Sequence, residues 1–99
     1  MVASITGVAL SGLRANETRI QVAADNIANV STPNYKTAFV NQSTDQDGSV
    51  RTSVSRTDAP NNLDEQLVNV NVAADNFKAN LKVIQAQHNL DKHLFDIQA

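Results

Sequence analysis

The chain has 99 residues, 41% of them hydrophobic and 4% aromatic, with no Cys, no Trp and a formal net charge of −2. That length makes one small domain, residues 1–99, and its Ala, Val, Leu and Ile suit helix seams better than a large enclosed core. The absence of cysteine excludes disulfides and Cys-based metal sites, and interspersed charges of both signs give no footprint for nucleic acid or an anionic membrane.

The opening MVASITGVALSGLR has no charged n-region, and Ser4, Thr6, Gly7 and Ser11 interrupt its apolar residues, so no cleaved signal peptide is expected. No run is long enough to span a membrane. A first helix is predicted over about residues 3–29. Leu13, Ile20 and Ile27 recur every seven residues beside Ala9, Asn16, Ala23 and Val30, the alternation of a coiled-coil-like seam. Gly12 and Ala24 flank it, so a partner helix can approach closely. Asn16 on the stripe either fixes register as a buried polar group or reaches solvent at the interface edge. At about 1.5 Å per residue the helix would be about 40 Å long, which asks for a partner of similar length.

Asn26, Asn29 and Asn34 surround Ser31-Thr32-Pro33, a strong helix stop. Pro33 pushes Thr32 out of the α region. Asn29 fits a left-handed C-cap. Pro33-Asn34 fits the centre of a type II turn, where the second central residue needs positive φ. Taken locally, the same features also describe an ordinary helix end.

Beyond the exit, Tyr35–Val40 and Val50–Thr57 are rich in β-favouring residues, with the turn-forming Asp45-Gln46-Asp47-Gly48-Ser49 between them. They predict a short β-hairpin. An irregular loop is the competing reading, because an isolated two-stranded hairpin is marginal in water. Ala59-Pro60-Asn61-Asn62 closes the region and offers an N-cap.

A second helix is predicted over about residues 62–97. Leu63, Val70, Phe77 and Ile84 repeat at seven, joined by Leu67, Ala74 and Leu81. After Ile84 the stripe changes phase and continues through Leu90, Leu94 and Ile97. At about 53 Å this helix would be the longer of the two. The expected fold is therefore mainly α, with two long amphipathic helices paired antiparallel and joined by a short β-hairpin or irregular loop. Two stripes can cover each other, yet bundles usually need three or four members, so self-association is expected.

His88, Asp91, His93 and Asp96 are the one cluster with ligand chemistry. The two His residues lie five apart on different helix faces, whereas zinc wants three or four convergent ligands, so a solvated helix face is the expected reading. No Ser–His–Asp or paired-acid arrangement appears. The chain is expected to be no enzyme, with no catalytic residue, cofactor or metal.

Five segments carry a family likeness. Ala9-Leu10-Ser11-Gly12-Leu13, Ala24-Asp25-Asn26-Ile27-Ala28-Asn29 and Thr32-Pro33-Asn34-Tyr35-Lys36 resemble, in order and spacing, the N-terminal signature of the bacterial flagellar rod and hook family. That signature runs A-L-S-G-L, then A-x-N-I-A-N-x-x-T-P-G-Y-K. Asn34 stands where the family has Gly, and Asn is the next-best residue for positive φ. Glu65-Gln66-Leu67-Val68 and Phe77-Lys78-Ala79-Asn80 resemble the family's C-terminal motif, with Phe77 for its aromatic and no Arg where the family has one. The short middle makes the proximal-rod type the nearest in build.

The resemblance implies a structural subunit of the basal body rod whose terminal helices pack with copies of itself and with other axial (rod and hook) proteins. It also implies passage through the flagellar export apparatus without signal cleavage, a periplasm-spanning location, and neither nucleic-acid binding nor direct membrane insertion. Leu13, Ile20, Ile27, Leu67, Phe77, Leu81 and Ile84 are the expected assembly residues on the helix seams. Asn26, Asn29, Thr32, Pro33 and Tyr35 are expected to set the turn out of the first helix. The alternative is a helical interaction module, related to rod proteins, that binds a flagellar subunit, a chaperone or an export component.

Overall fold

The computed structural model describes residues 5–98. The elements are α1 (Ile5–Ala28), β1 (Thr37–Thr44), β2 (Val50–Thr57) and α2 (Leu63–Gln98). The fold is mainly helical, with an antiparallel two-stranded hairpin between two long helices, as the periodicity predicts. The expected helix start near residue 3 lies outside the described residues. With 24 and 36 residues, the helices measure about 36 and 54 Å.

Contacts near both ends of α1 fix the antiparallel pairing. Asn26 Nδ2 donates to Gln66 Oε1 at 3.0 Å in the first turn of α2. Near the other end Gly12 faces Asn80 so closely that a Cβ on Gly12 would lie 3.0 Å from Asn80 Nδ2. The enclosed apolar residues among those described are Ala9, Ala15, Ala23, Ala38 and Ala73, joined by the polar Asn16, Asn26, Thr37 and Gln66. Small side chains let the two backbones approach, and Asn16 takes the buried position of its two alternatives.

The α2 seam differs in one respect from the sequence pattern. Its most enclosed face runs through Gln66, Val70, Ala73, Ala74, Phe77, Asn80, Ile84 and Gln87, while Leu67 and Leu81 are exposed. Apolar spacing instead joins Val70, Phe77 and Ile84 to Leu67, Ala74 and Leu81. On the opposite side of the central stripe, Gln66 and Asn80 meet Asn26 and Gly12 of α1, and Ala73 between them is buried. Both contact residues are amides, so counting apolar residues passes over them.

Between the helices, the exit follows its predicted turn. Tyr35 N–H donates to Thr32 C=O at 3.4 Å, and Asn34 has φ +62°, with Pro33 and Asn34 at the centre. Asn29 departs from expectation. Among the described residues other than glycine, only Asn34 has positive φ, so Asn29 is not a left-handed cap. It acts through its side chain, donating from Nδ2 to Asp25 C=O at 2.8 Å and accepting from Thr32 Oγ1 at 3.1 Å. The Asp25 carbonyl also accepts the Asn29 N–H at 3.1 Å, so the carboxamide adds a second bond there and links the helix end to Thr32.

The hairpin outcome favours strands over an irregular loop, and β1 extends to Thr44. Its register pairs Thr37 with Thr57 and Thr44 with Val50. The tip closes with Gly48 N–H donating to Asp45 C=O at 3.0 Å, and Gly48 has φ +92°, the conformation a three-residue hairpin loop reserves for Gly. The Ser49 N–H bond to Asp47 Oδ1, at 2.9 Å, holds the Asp47 carboxyl below its ordinary range.

Docking on α1 gives this hairpin support that an isolated one lacks. Asn26 Oδ1 accepts from Ala38 N–H at 3.0 Å and its Nδ2 donates to Ala38 C=O at 2.8 Å, so a side-chain amide pairs with a strand edge as another strand would. Tyr35 O–H donates to the same Oδ1 at 3.1 Å, and Asn61 Nδ2 donates to Asn26 C=O at 2.7 Å. At the far end Ser11 Oγ accepts from Val50 N–H at 3.0 Å.

Two predictions follow from these contacts. Asn26→Ala leaves the buried N–H and C=O of Ala38 unpaired, at about 1–3 kcal/mol each, so urea unfolding should show a loss of about 3 kcal/mol. A loss under about 0.5 kcal/mol would contradict the role given to Asn26. At the turn, Asn34→Gly should be neutral or slightly stabilising, whereas Asn34→Val should cost about 1–2 kcal/mol because a β-branched residue resists positive φ. Equal melting temperatures for the two variants would contradict this.

Candidate assembly surface

Many of the larger apolar side chains lie outside the helix pair. Accessible surface totals 7057 Å², against about 5500 Å² for a typical folded monomer of this mass. The radius of gyration is 17.3 Å, against about 13 Å for a compact domain of this length. An elongated shape accounts for part of the excess, and its composition is the informative part. Leu67 (46% exposed), Leu81 (38%) and Phe95 (71%) recur at one heptad position on one flank of the α2 seam. Val83, Leu90 and Ile97 (68%) recur on the other flank.

The register that pairs Asn26 with Gln66 and Gly12 with Asn80 puts Ile5 level with Gln87. Helix α2 therefore continues for about 16 Å beyond the described part of α1, carrying exposed Leu90, Leu94, Phe95 and Ile97. Where the hairpin tip meets both helices, Ile5, Val8, Gly12, Val50 and Val83 line a mostly apolar groove of about 450 Å³.

The expected assembly residues divide between the seam and this surface. Leu13, Ile20 and Ile27 of α1 and Phe77 and Ile84 of α2 are half-buried along the pair, while Leu67 and Leu81 point outward from it. Of the turn residues, Asn26 is buried, Asn29 and Tyr35 are half-buried, and Thr32 and Pro33 are exposed. His88, Asp91, His93 and Asp96 are exposed, and Gln87 Nε2 donates to Asp91 Oδ1 at 3.0 Å. Among the described residues no three His, Cys, Asp or Glu side chains converge as metal ligands, and no helix is long and apolar enough to cross a membrane.

Residues 7–36 match the family described as flagella basal body rod protein. That match supports the rod-family assignment. It runs from α1 through the Thr-Pro turn to Lys36, and it includes Gly12, Asn26 and Tyr35. A comparison with curated proteins gave no match. The rod family is structural, and the match supports a rod-type structural role in the flagellar basal body, in association with other rod and axial components. Motility is the process it serves.

The fold adds a link that the matched stretch alone lacks. Gln66 and Asn80, outside the matched stretch, contact Asn26 and Gly12 inside it. Neither contact was foreseen from sequence, although the recurrence of amides at Gln66, Asn80 and Gln87 was a signal available to find them.

The Gly12–Asn80 approach makes a testable pair. Gly12→Ala alone must displace the Asn80 amide. In an Asn80→Ala background the new methyl has room, and the helix-propensity gain of about 1 kcal/mol over Gly should appear in full. A double-mutant cycle by chemical denaturation should therefore show coupling of at least about 0.5 kcal/mol; strict additivity would contradict the contact.

Proposed function

We propose that residues 1–99 act as a single structural unit, a subunit of the flagellar rod. Its terminal helices pack with copies of itself and with other rod and hook proteins into a tubular wall. The observation that carries this reading is the apolar surface left outside the α1–α2 pair. Leu67 and Leu81 supply one outward stripe, and Leu13, Ile20, Ile27, Phe77 and Ile84 supply half-buried edges that a neighbouring helix can finish covering. The surface excess of about 1500 Å² over a typical monomer compares with the roughly 800 Å² that each partner contributes to a standard protein interface, so it matches about two such contacts per copy. At about 25 cal/mol per Å² of apolar area, repeated contacts along a rod would outweigh the modest burial inside one copy. Delivery would run through the flagellar export apparatus to a rod crossing the periplasm. Asn26, Asn29, Thr32, Pro33 and Tyr35 would turn the chain off the helical wall at a fixed point.

Leu81→Asp and Leu67→Asp test this reading with little damage to the fold, because both side chains already face outward. Each variant should keep the helical circular dichroism of the parent but disappear from purified basal bodies and abolish motility. Motile cells with normal incorporation of both variants would overturn the proposal.

A further inference from the structure

We propose that the hairpin is also an assembly element: the outer edge of β1 takes up the outer edge of β2 from a second copy, head to tail. This rests on the rod-subunit reading and concerns a different part of the chain from the helical seams.

The backbone identifies which groups are free. In an antiparallel ladder, alternate residues turn their N–H and C=O away from the partner strand. Ala38 gives both groups to Asn26, and Val50 gives its N–H to Ser11, so the even-numbered residues face outward. Helix α1 thus crosses the hairpin diagonally, covering the β1 edge at its base and the β2 edge at its tip. The outward positions of Val40, Gln42 and Thr44 on β1, and of Thr52, Val54 and Arg56 on β2, lie beyond those two contacts. All except the half-buried Val40 are exposed.

Composition and geometry both point to a second copy as the occupant. Proteins blunt open strand edges with charge, proline or bulges; TAFVNQST of β1 contains no charged residue, Pro or Gly, and the free β2 edge carries one charge, Arg56, at its base. Three outward residues on one edge match three on the other. Aligning them sets Val40 against Arg56, Gln42 against Val54 and Thr44 against Thr52 of the next copy. Ser43 then falls opposite Ser53, and Asn41 opposite Ser55, pairs small enough to sit face to face. Because the free stretches lie on opposite sides of the hairpin, using both gives a repeating array rather than a closed pair.

The chain has no cysteine, so directed cross-linking has no native background. Opposed residues in a non-hydrogen-bonded antiparallel pair have Cα atoms about 4.5 Å apart, within disulfide reach. Ser43→Cys chains mixed with Ser53→Cys chains should form a disulfide dimer on oxidation, and neither should do so alone. Gln42→Pro, which removes an N–H that the intrachain ladder does not use, should abolish the cross-link while leaving the circular dichroism unchanged. No dimer from the mixture, equally ready dimers from Ser43→Cys alone (two β1 edges together), or cross-linking unaffected by Gln42→Pro would each overturn the proposal. Basal bodies that contain the cysteine variants without cross-links would remove the hairpin pairing and leave the rod reading intact. Absence of the wild-type chain from basal bodies would instead remove the rod reading.

Discussion

The carboxamide of Asn26 is the interaction on which the rest of this small structure depends. It ties the end of α1 to β1 through Ala38, to the exit through Tyr35 and to α2 through Gln66, using both its donors and its acceptor. A seam that repeats every seven residues is nearly as favourable after slipping by seven, and Ala9, Asn16 and Ala23 against Ala73 and Asn80 form such a seam. The partners of Asn26 occur once. A slipped pairing would leave several buried polar groups unmatched, at about 1–3 kcal/mol each, so one side chain selects the register that packing leaves degenerate.

Burial here inverts the usual arrangement. Asn26 is the largest fully enclosed side chain among the described residues, and the enclosed apolar residues are alanines, while the Leu, Val, Ile and Phe side chains are half-buried or exposed. Alanine gives close approach but little transfer free energy. Hydrogen bonds and tight backbone contact therefore define the geometry of one copy, and much of its large apolar surface stays exposed.

The sequence revealed elements better than contacts. Heptad spacing marked both helices because their stripes are long and regular, and Pro33-Asn34 marked the turn because few residues tolerate its backbone. The hairpin stayed undecided at that level: its strands hold few large apolar residues, and its support comes from Asn26 and Ser11, both on α1. The side of α2 that meets α1 was misplaced by one heptad position because its contact residues are amides, which an apolar pattern omits. Asn29 fits a left-handed cap on local grounds, whereas its side chain links Asp25 C=O to Thr32 Oγ1, a choice that depends on where Thr32 and Asp25 end up.

The overhang of α2 makes the two ends of the helix pair chemically unlike. One end is closed by the exit turn and by Asn61, Asn62, Asp64 and Glu65, polar residues crowded at the start of α2. Among the described residues, the other end carries α2 alone, bearing Leu94, Phe95 and Ile97. An object with unlike ends has a direction, and any stack built from it inherits that direction. Its two tips would present different chemistry to an incoming subunit, so growth from one tip and attachment at the other require no further device.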